Sequence, residues 1–477
     1  MHMITQIVKR DGRTVAFELD KIADAIFKAA QASGGRDYEM STELASQVEQ
    51  ELEAESLTCP TVEQVQDVVE KVLVKSGHAR TAKKYILYRN ERTRVREMNT
   101  RLMKVYEDLT FQSSLENDVK RENANIDGDT AMGTMLKYGS EGAKQFYDMF
   151  ILDPEHSKAH REGDIHIHDL DFLTLTTTCC QIDLLKLFQD GFSTGHGFLR
   201  EPNDIRSYSA LACIAIQSNQ NDQHGGQSVP NFDYSMAPGV KKTFRRAFTD
   251  NLTKALEIYL EQEDGELMSK AIISRCEKET GKWACFAGDN GFDEAVRAVL
   301  LEQMDEKLAD KILRFVRKYA VKETRRATYQ AMEALVHNLN TMHSRAGAQI
   351  PFSSLNYGTD TSAEGRLVME CLLLATEAGL GNGETSIFPI HIFKVKDGIN
   401  FNPGEPNYDL FQLAMRVSAK RMFPNFSFLD APFNLQYYKP GHPETECAYM
   451  GCRTRVIGNV YDPTREIVNG RGNLSFT

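Results

Sequence analysis

The sequence has no apolar run approaching the ~20 residues that a membrane-spanning helix needs; the longest, Ala210–Ile216, is far too short. Its N-terminus, Met1-His2-Met3-Ile4-Thr5-Gln6, has no apolar signal region, so the chain is expected in the cytosol. Positive charge is not in excess: 56 Lys+Arg stand against 67 Asp+Glu, a formal net charge of -11. That balance speaks against bulk binding of DNA or RNA, which works by neutralising backbone phosphates. No CxxC pair occurs among the nine cysteines, so neither a zinc ribbon nor a thioredoxin-like motif is readable. Internal repeats and low-complexity segments are absent as well.

What remains is 477 residues, 41% hydrophobic and 26% charged, enough to bury a large core in more than one domain. Residues 1 to about 95 read as one unit. Gln6–Arg10 and Arg13–Phe17 flank Asp11-Gly12, the signal for a two-residue hairpin turn. Helical spacing follows, with Ile22, Ile26 and Ala29 on one face, then Val62, Val65, Val69 and Val72, then a basic helix from Arg80 to Arg89. Beyond residue 100 the pattern changes. Long helices are predicted over 292–342, and Gly-, Pro- and Asn-punctuated segments lie on either side of them, some strand-like, such as Ser386–Phe393. The alternation predicts a large α/β fold with function on its loops.

The turn Val8-Lys9-Arg10-Asp11-Gly12-Arg13, with Lys21 at a helix start, gathers cations that can grip a polyphosphate. On charge alone the same residues read as a solvated basic hairpin. The whole segment resembles an ATP-cone, the small regulatory domain of ribonucleotide reductases, in this start, in Phe17 and Lys21, and in Ala79–Arg89 with Tyr85 and Tyr88-Arg89. The resemblance implies ATP and dATP as effectors, held near Lys9, Arg10, Lys21 and Tyr85.

Two cysteine neighbourhoods carry the remaining chemistry. One is His166-Ile167-His168-Asp169-Leu170-Asp171 followed by Thr178-Cys179-Cys180-Gln181-Ile182-Asp183-Leu184; the other is Met450-Gly451-Cys452-Arg453-Thr454-Arg455-Val456 followed by Gly470–Thr477. A strand would put His166 and His168 on one face, where they can bind a metal, although such a cluster is more often a hydrogen-bonded strand end; no metal site is assigned. Adjacent cysteines point apart, so Cys179 and Cys180 are not expected to pair.

With Gly225-Gly226 and Phe423-Pro424-Asn425-Phe426, these blocks resemble, in order, the catalytic subunit of anaerobic (class III) ribonucleotide reductase, a glycyl radical enzyme. The resemblance implies an ATP-cone over 1–95. It implies over 96–477 an incomplete ten-stranded α/β barrel of the glycyl radical enzyme type. By it Cys452 matches the cysteine that becomes a thiyl radical and removes the 3′-hydrogen of a ribonucleoside triphosphate. Cys179 matches the cysteine on the opposite face, which supplies hydrogen as the 2′-hydroxyl leaves; Cys180 is the alternative. His168 matches a histidine near the substrate. Asn473 and Thr454 match positions lining the substrate or formate pocket, with formate as reductant. The family further implies an S-adenosylmethionine-dependent iron–sulfur activating enzyme as partner and a homodimer or higher oligomer. Its zinc-binding CxxC pairs and radical glycine do not occur in these 477 residues. The chain is therefore expected to be a truncated or split form, inactive without a C-terminal fragment. A second reading, a nucleotide-binding regulatory protein on a degenerate reductase scaffold, is favoured by that missing glycine and opposed by the intact Cys179, Cys452 and Asn473.

Overall fold

The runs on either side of Asp11-Gly12 form an antiparallel hairpin, β1 (Gln6–Val8) and β2 (Thr14–Ala16). The computed structural model describes residues 4–10, 12–111, 130–173, 178–260, 264–288, 290–344, 349–436, 438–451, 454–456 and 472–473, leaving aside the side chains at 97–101, 108, 109, 111, 178, 472 and 473. Lys9 N donates to Arg13 O at 2.8 Å, so the hydrogen-bonded ends enclose three residues rather than the expected two. Gly12, at φ +81°, takes the left-handed position that such a loop requires.

Behind the hairpin stand α1 (Leu19–Gln31), α2 (Tyr38–Ala54), α3 (Val62–Lys75) and α4 (Ala79–Phe111). The predicted faces are buried: Ile22, Ile26 and Ala29 of α1 meet Leu44 and Val48 of α2 and Val65, Val69 and Val72 of α3 in one core. Thr61 and Gln64 begin α3 with a reciprocal capping box, worth about 1 kcal/mol. Residues 1–112 with 144–157 make one compact unit; residues 113–143 with 158–477 make the other.

In the second unit, parallel strands alternate with helices. The strands are β3 (Thr178–Gln181), β4 (His224–Val229), β5 (Ser353–Tyr357), β6 (Ile390–Val395) and β7 (Asn425–Phe428). They lie side by side in chain order, each parallel to the next. Parallel neighbours need long crossovers. Helix α5 (Ile205–Asp222) lies between β3 and β4, α6 (Phe232–Leu260) and α7 (Glu306–Thr341) between β4 and β5, α8 (Ala363–Ala378) between β5 and β6, and α9 (Tyr408–Arg421) between β6 and β7. A two-stranded hairpin follows, β8 (Ala448–Tyr449) and β9 (Arg455–Val456); β10 (Gly472–Asn473) then pairs antiparallel with β3 at the sheet edge. Strand order, which the sequence pattern left open, is thus β10-β3-β4-β5-β6-β7.

One sheet face packs on the helices. Val229, Leu355, Tyr357, Phe393 and Val395 join Ile216, Met332 and Leu372 in the main core, where each fully buried large side chain contributes about 1.5–3 kcal/mol. The second half of α6 and the first half of α7 form a further core around Phe244, Phe248, Ile312 and Val316. Among the described residues no helix is long and apolar enough to cross a membrane.

Candidate active site

The period-two alternation of a strand sorts the chemistry between the two sheet faces. Cys180 pairs in register with Gln227, and its thiol donates to the Gln227 Oε1 at 3.0 Å on the helix side. Burial pushes the Cys180 thiol up to about 11. The opposite face carries Gly226 and Ser228 of β4, Asn356 of β5, and Ile390, Ile392 and Lys394 of β6. Cys179 belongs to this second face. Its Sγ accepts from Gly226 N at 3.1 Å and lies 3.7 Å from where a Cβ at Gly226 would stand.

A bulge achieves the separation. Thr178 and Cys180 match His224 and Gln227, so three steps on β4 span two on β3. Cys179 sits at φ +60° and Gly225 at +87°. Left-handed backbone at a non-glycine costs about 1–3 kcal/mol, and such bulges re-aim side chains beside functional sites.

The hairpin β8–β9 is held on the same face. Met450 N donates to Thr454 O at 3.0 Å. Asn356, fully buried, clamps Tyr449 both ways: its Nδ2 donates to Tyr449 O at 2.9 Å, and its Oδ1 accepts from Tyr449 N at 2.9 Å. Ser228 Oγ donates to the same carbonyl at 2.8 Å. One residue before the hairpin is Cys447, and before it Glu446, whose carboxylate meets Lys394 Nζ at 2.8 Å with both side chains buried. Lys394 also donates to Asn231 Oδ1 at 2.6 Å, and Thr359 Oγ1 donates to Glu446 at 2.9 Å. The charges are therefore fully partnered, as burial demands.

Phe352 joins the two cysteine neighbourhoods. A Cβ at Gly226 would be 3.6 Å from its ring, and a Cβ at Gly451 would be 3.2 Å from it. Gly226, which bonds the Cys179 sulfur, and Gly451 thus flank one phenyl ring. Cys452 itself lies outside the described residues. Asn473 pairs in the backbone register with Thr178, next to Cys179, and its side chain lies outside the description. Thr454 is half-buried.

The His-x-His-Asp block is not the expected strand. Residues 163–169 run in bends and turns that end at Asp169, φ +52°, although the His166 and His168 rings are still 5.7 Å apart. His168 is 62% exposed, its Nε2 3.6 Å from Asp169. The residue that Asp169 holds more closely is His224, at 3.0 Å and 13% exposed. Sequence reasoning missed His224, Asn356, Lys394 and Glu446. The one available signal was a lysine inside the apolar run Ile390–Val395. Among the described residues no group of three His, Cys, Asp or Glu side chains can hold a metal ion.

In the N-terminal unit the predicted cations already have partners. Arg10 donates to Glu63 and, at 2.8 Å, to Gln66; Lys21 pairs with Glu18 at 2.8 Å. Arg89 meets Glu63, Asp67 and Glu70 at 2.6–2.8 Å. Arg10 and then Arg89 hold the Glu63 carboxyl below its usual range. Tyr85 is buried in the core, which pushes its hydroxyl up to about 12. Lys9 stands at the turn itself.

Comparison with known proteins matches residues 122–477 to the family described as "Anaerobic ribonucleoside-triphosphate reductase" and residues 5–94 to "ATP cone domain". The anaerobic ribonucleoside-triphosphate reductase of Haemophilus influenzae is 29% identical over 472 residues, covering 98% of this chain and 57% of the relative. That of Escherichia coli is 27% identical over 475 residues, covering 99% of this chain and again 57% of the relative. This chain thus spans little more than half the length of these curated relatives. A solved anaerobic ribonucleotide reductase of Thermotoga maritima, in complex with dATP and CTP, aligns at TM-score 0.39 and 12% identity over 71% of this chain and 50% of that one.

Proposed function

We propose that this chain, which belongs to the anaerobic ribonucleoside-triphosphate reductase family, forms the regulatory and substrate-facing part of an enzyme that reduces ribonucleoside triphosphates to deoxyribonucleoside triphosphates. The observation that carries the reading is that Gly226, bonded to the Cys179 sulfur, and Gly451 meet at Phe352, on the sheet face away from the helices. A ribose bound there would lie between Cys179 and Cys452.

In this reading a glycyl radical, generated by an S-adenosylmethionine-dependent iron–sulfur enzyme, supplies the unpaired electron. Cys452 takes the 3′-hydrogen and later returns it. Cys179 gives a hydrogen atom at C2′ from the opposite side, which its S–H bond is weak enough to do. Thr454 and Asn473 give hydrogen bonds to ribose or to formate, the terminal reductant. The buried Asn356 and Lys394–Glu446 contacts keep the start of the β8–β9 hairpin in place, since a small misplacement of reacting atoms is costly in rate. The catalytic domain extends over 96–477, the protein is cytoplasmic, and the enzyme works as a dimer or larger oligomer.

The ATP-cone, over 1–95, senses ATP and dATP through Lys9, Arg10 and Lys21. Replacing Lys9 and Arg10 by Ala is expected to weaken ATP and dATP binding to the full chain by about tenfold or more, because each charge-assisted phosphate contact is worth about 1.5–3 kcal/mol. Arg10 must give up Glu63 to engage phosphate, so its net gain is at the lower end. Calorimetry that finds equal affinity in the double variant would reject this nucleotide site.

A further inference from the structure

We propose that His224, oriented by Asp169, is the group that exchanges a proton with the substrate on the Cys179 side, a role the sequence pattern gives to His168. The inference rests on the reductase reading above. Its observations are geometric. Two residues close to His224 in the chain bond Cys179: Gln223, just before it, donates from Nε2 to the Cys179 carbonyl at 3.3 Å, and Gly226, two positions after it, donates from N to Cys179 Sγ at 3.1 Å. His224 is itself the register partner of Thr178, the neighbour of Cys179. Its ring stacks on Phe172, with centroids 3.9 Å apart and planes at 14°, while Nε2 sits 3.0 Å from Asp169 Oδ2.

A stacked ring with a carboxylate on one nitrogen has a fixed orientation, the arrangement of a general acid–base pair. Among the described residues the titratable groups around it include Asp169, His168, whose Nε2 is 3.6 Å from the same Asp169 oxygen, and Cys179 on the adjoining strand; Phe172 is neutral. By contrast His168 is mostly exposed.

Once the 3′-hydrogen has been removed, the C2′–O bond breaks with its electron pair on oxygen. That oxygen takes the Nδ1 proton of the His224 imidazolium, and water leaves. The 3′-hydroxyl proton passes to the now neutral Nδ1 as the 3′-carbonyl forms, and the unpaired electron resides at C2′. No net proton is consumed, and no oxidant or reductant is needed until Cys179 donates hydrogen.

His224→Gln separates this role from a structural one, because the glutamine amide can still donate to Asp169 but cannot exchange a proton. In the activated enzyme containing this chain, the variant is expected to lose about 100-fold or more in kcat for deoxyribonucleotide formation. Its KM should stay close to wild type, and tritium at C3′ should still wash into water. Whatever part of the wild-type pH–rate profile comes from protonation of this imidazole should disappear. Should His224→Gln fail to fold, Asp169→Asn carries the test, with an expected loss of about tenfold or more. A His224→Gln enzyme with wild-type kcat and pH profile overturns the assignment. A wild-type enzyme that makes no deoxyribonucleotide overturns instead the reductase reading beneath it.

Discussion

Cys179→Ser should lower ribonucleotide reduction by at least about a thousandfold, some 4 kcal/mol of barrier, while Cys180→Ser keeps most of the activity. The two cysteines are chain neighbours of similar burial, so composition and exposure do not separate them. The bulge does. With Cys179 in the left-handed conformation, its sulfur faces Gly226, whereas the Cys180 sulfur faces Asn219 and Gln227 on the helix side. A serine at 179 fits the space but offers an O–H bond too strong for transfer to a carbon radical. At 180 a serine hydroxyl can keep the hydrogen bonds to Gln227 and Asn219, so the effect there is on stability, by about 1 kcal/mol. Deoxyribonucleotide yield under anaerobic conditions, compared with thermal melting of each variant, separates the two. Activity retained in Cys179→Ser and lost in Cys180→Ser would reverse the assignment.

Lys394→Met should destabilise the second unit by about 3–5 kcal/mol, because it leaves Glu446 charged, buried and without its cation. The remaining donor to that carboxylate, Thr359 Oγ1, is neutral and cannot offset the desolvation. The loss should fall on the segment that leads into β8, and hence on the β8–β9 hairpin. Pairing the change with Glu446→Leu should recover much of the stability, since apolar replacement of both members of a buried pair is often neutral. Urea unfolding of the single and double variants measures this directly. A Lys394→Met protein within about 1 kcal/mol of wild type would show that the pair does not anchor the hairpin.

Local pattern made the helices legible. The spacing of Val296, Val299 and Leu300, then of Ile312, Phe315 and Tyr319, gave the paired helices over 292–301 and 306–341, and Val65, Val69 and Val72 gave the buried face of α3. Ordered motifs made Cys179 and the 450–455 segment stand out before any geometry was known. Other features depend on residues far apart in the chain. Asp169 is adjacent to His168 in sequence, and its closer partner is His224, which a different strand brings to it. Lys394 and Glu446 meet across 52 positions. Alternation at His166 and His168 would suit a strand, yet these residues lie among bends and turns and Asp169 after them turns left-handed. The Asp-Gly turn was correct in place and one residue too short, because Lys9 and Arg13 close the loop.

The central claim is that a ribose is reduced between Cys452 and Cys179, with Cys452 taking hydrogen from C3′. The most direct measurement compares ribonucleoside triphosphates carrying hydrogen or deuterium at C3′ in the activated enzyme that contains this chain. The account predicts slower deoxyribonucleotide formation from the deuterated substrate and none from either in Cys452→Ser. Deoxyribonucleotide formed by Cys452→Ser at the wild-type rate, with no isotope effect at C3′, would contradict it.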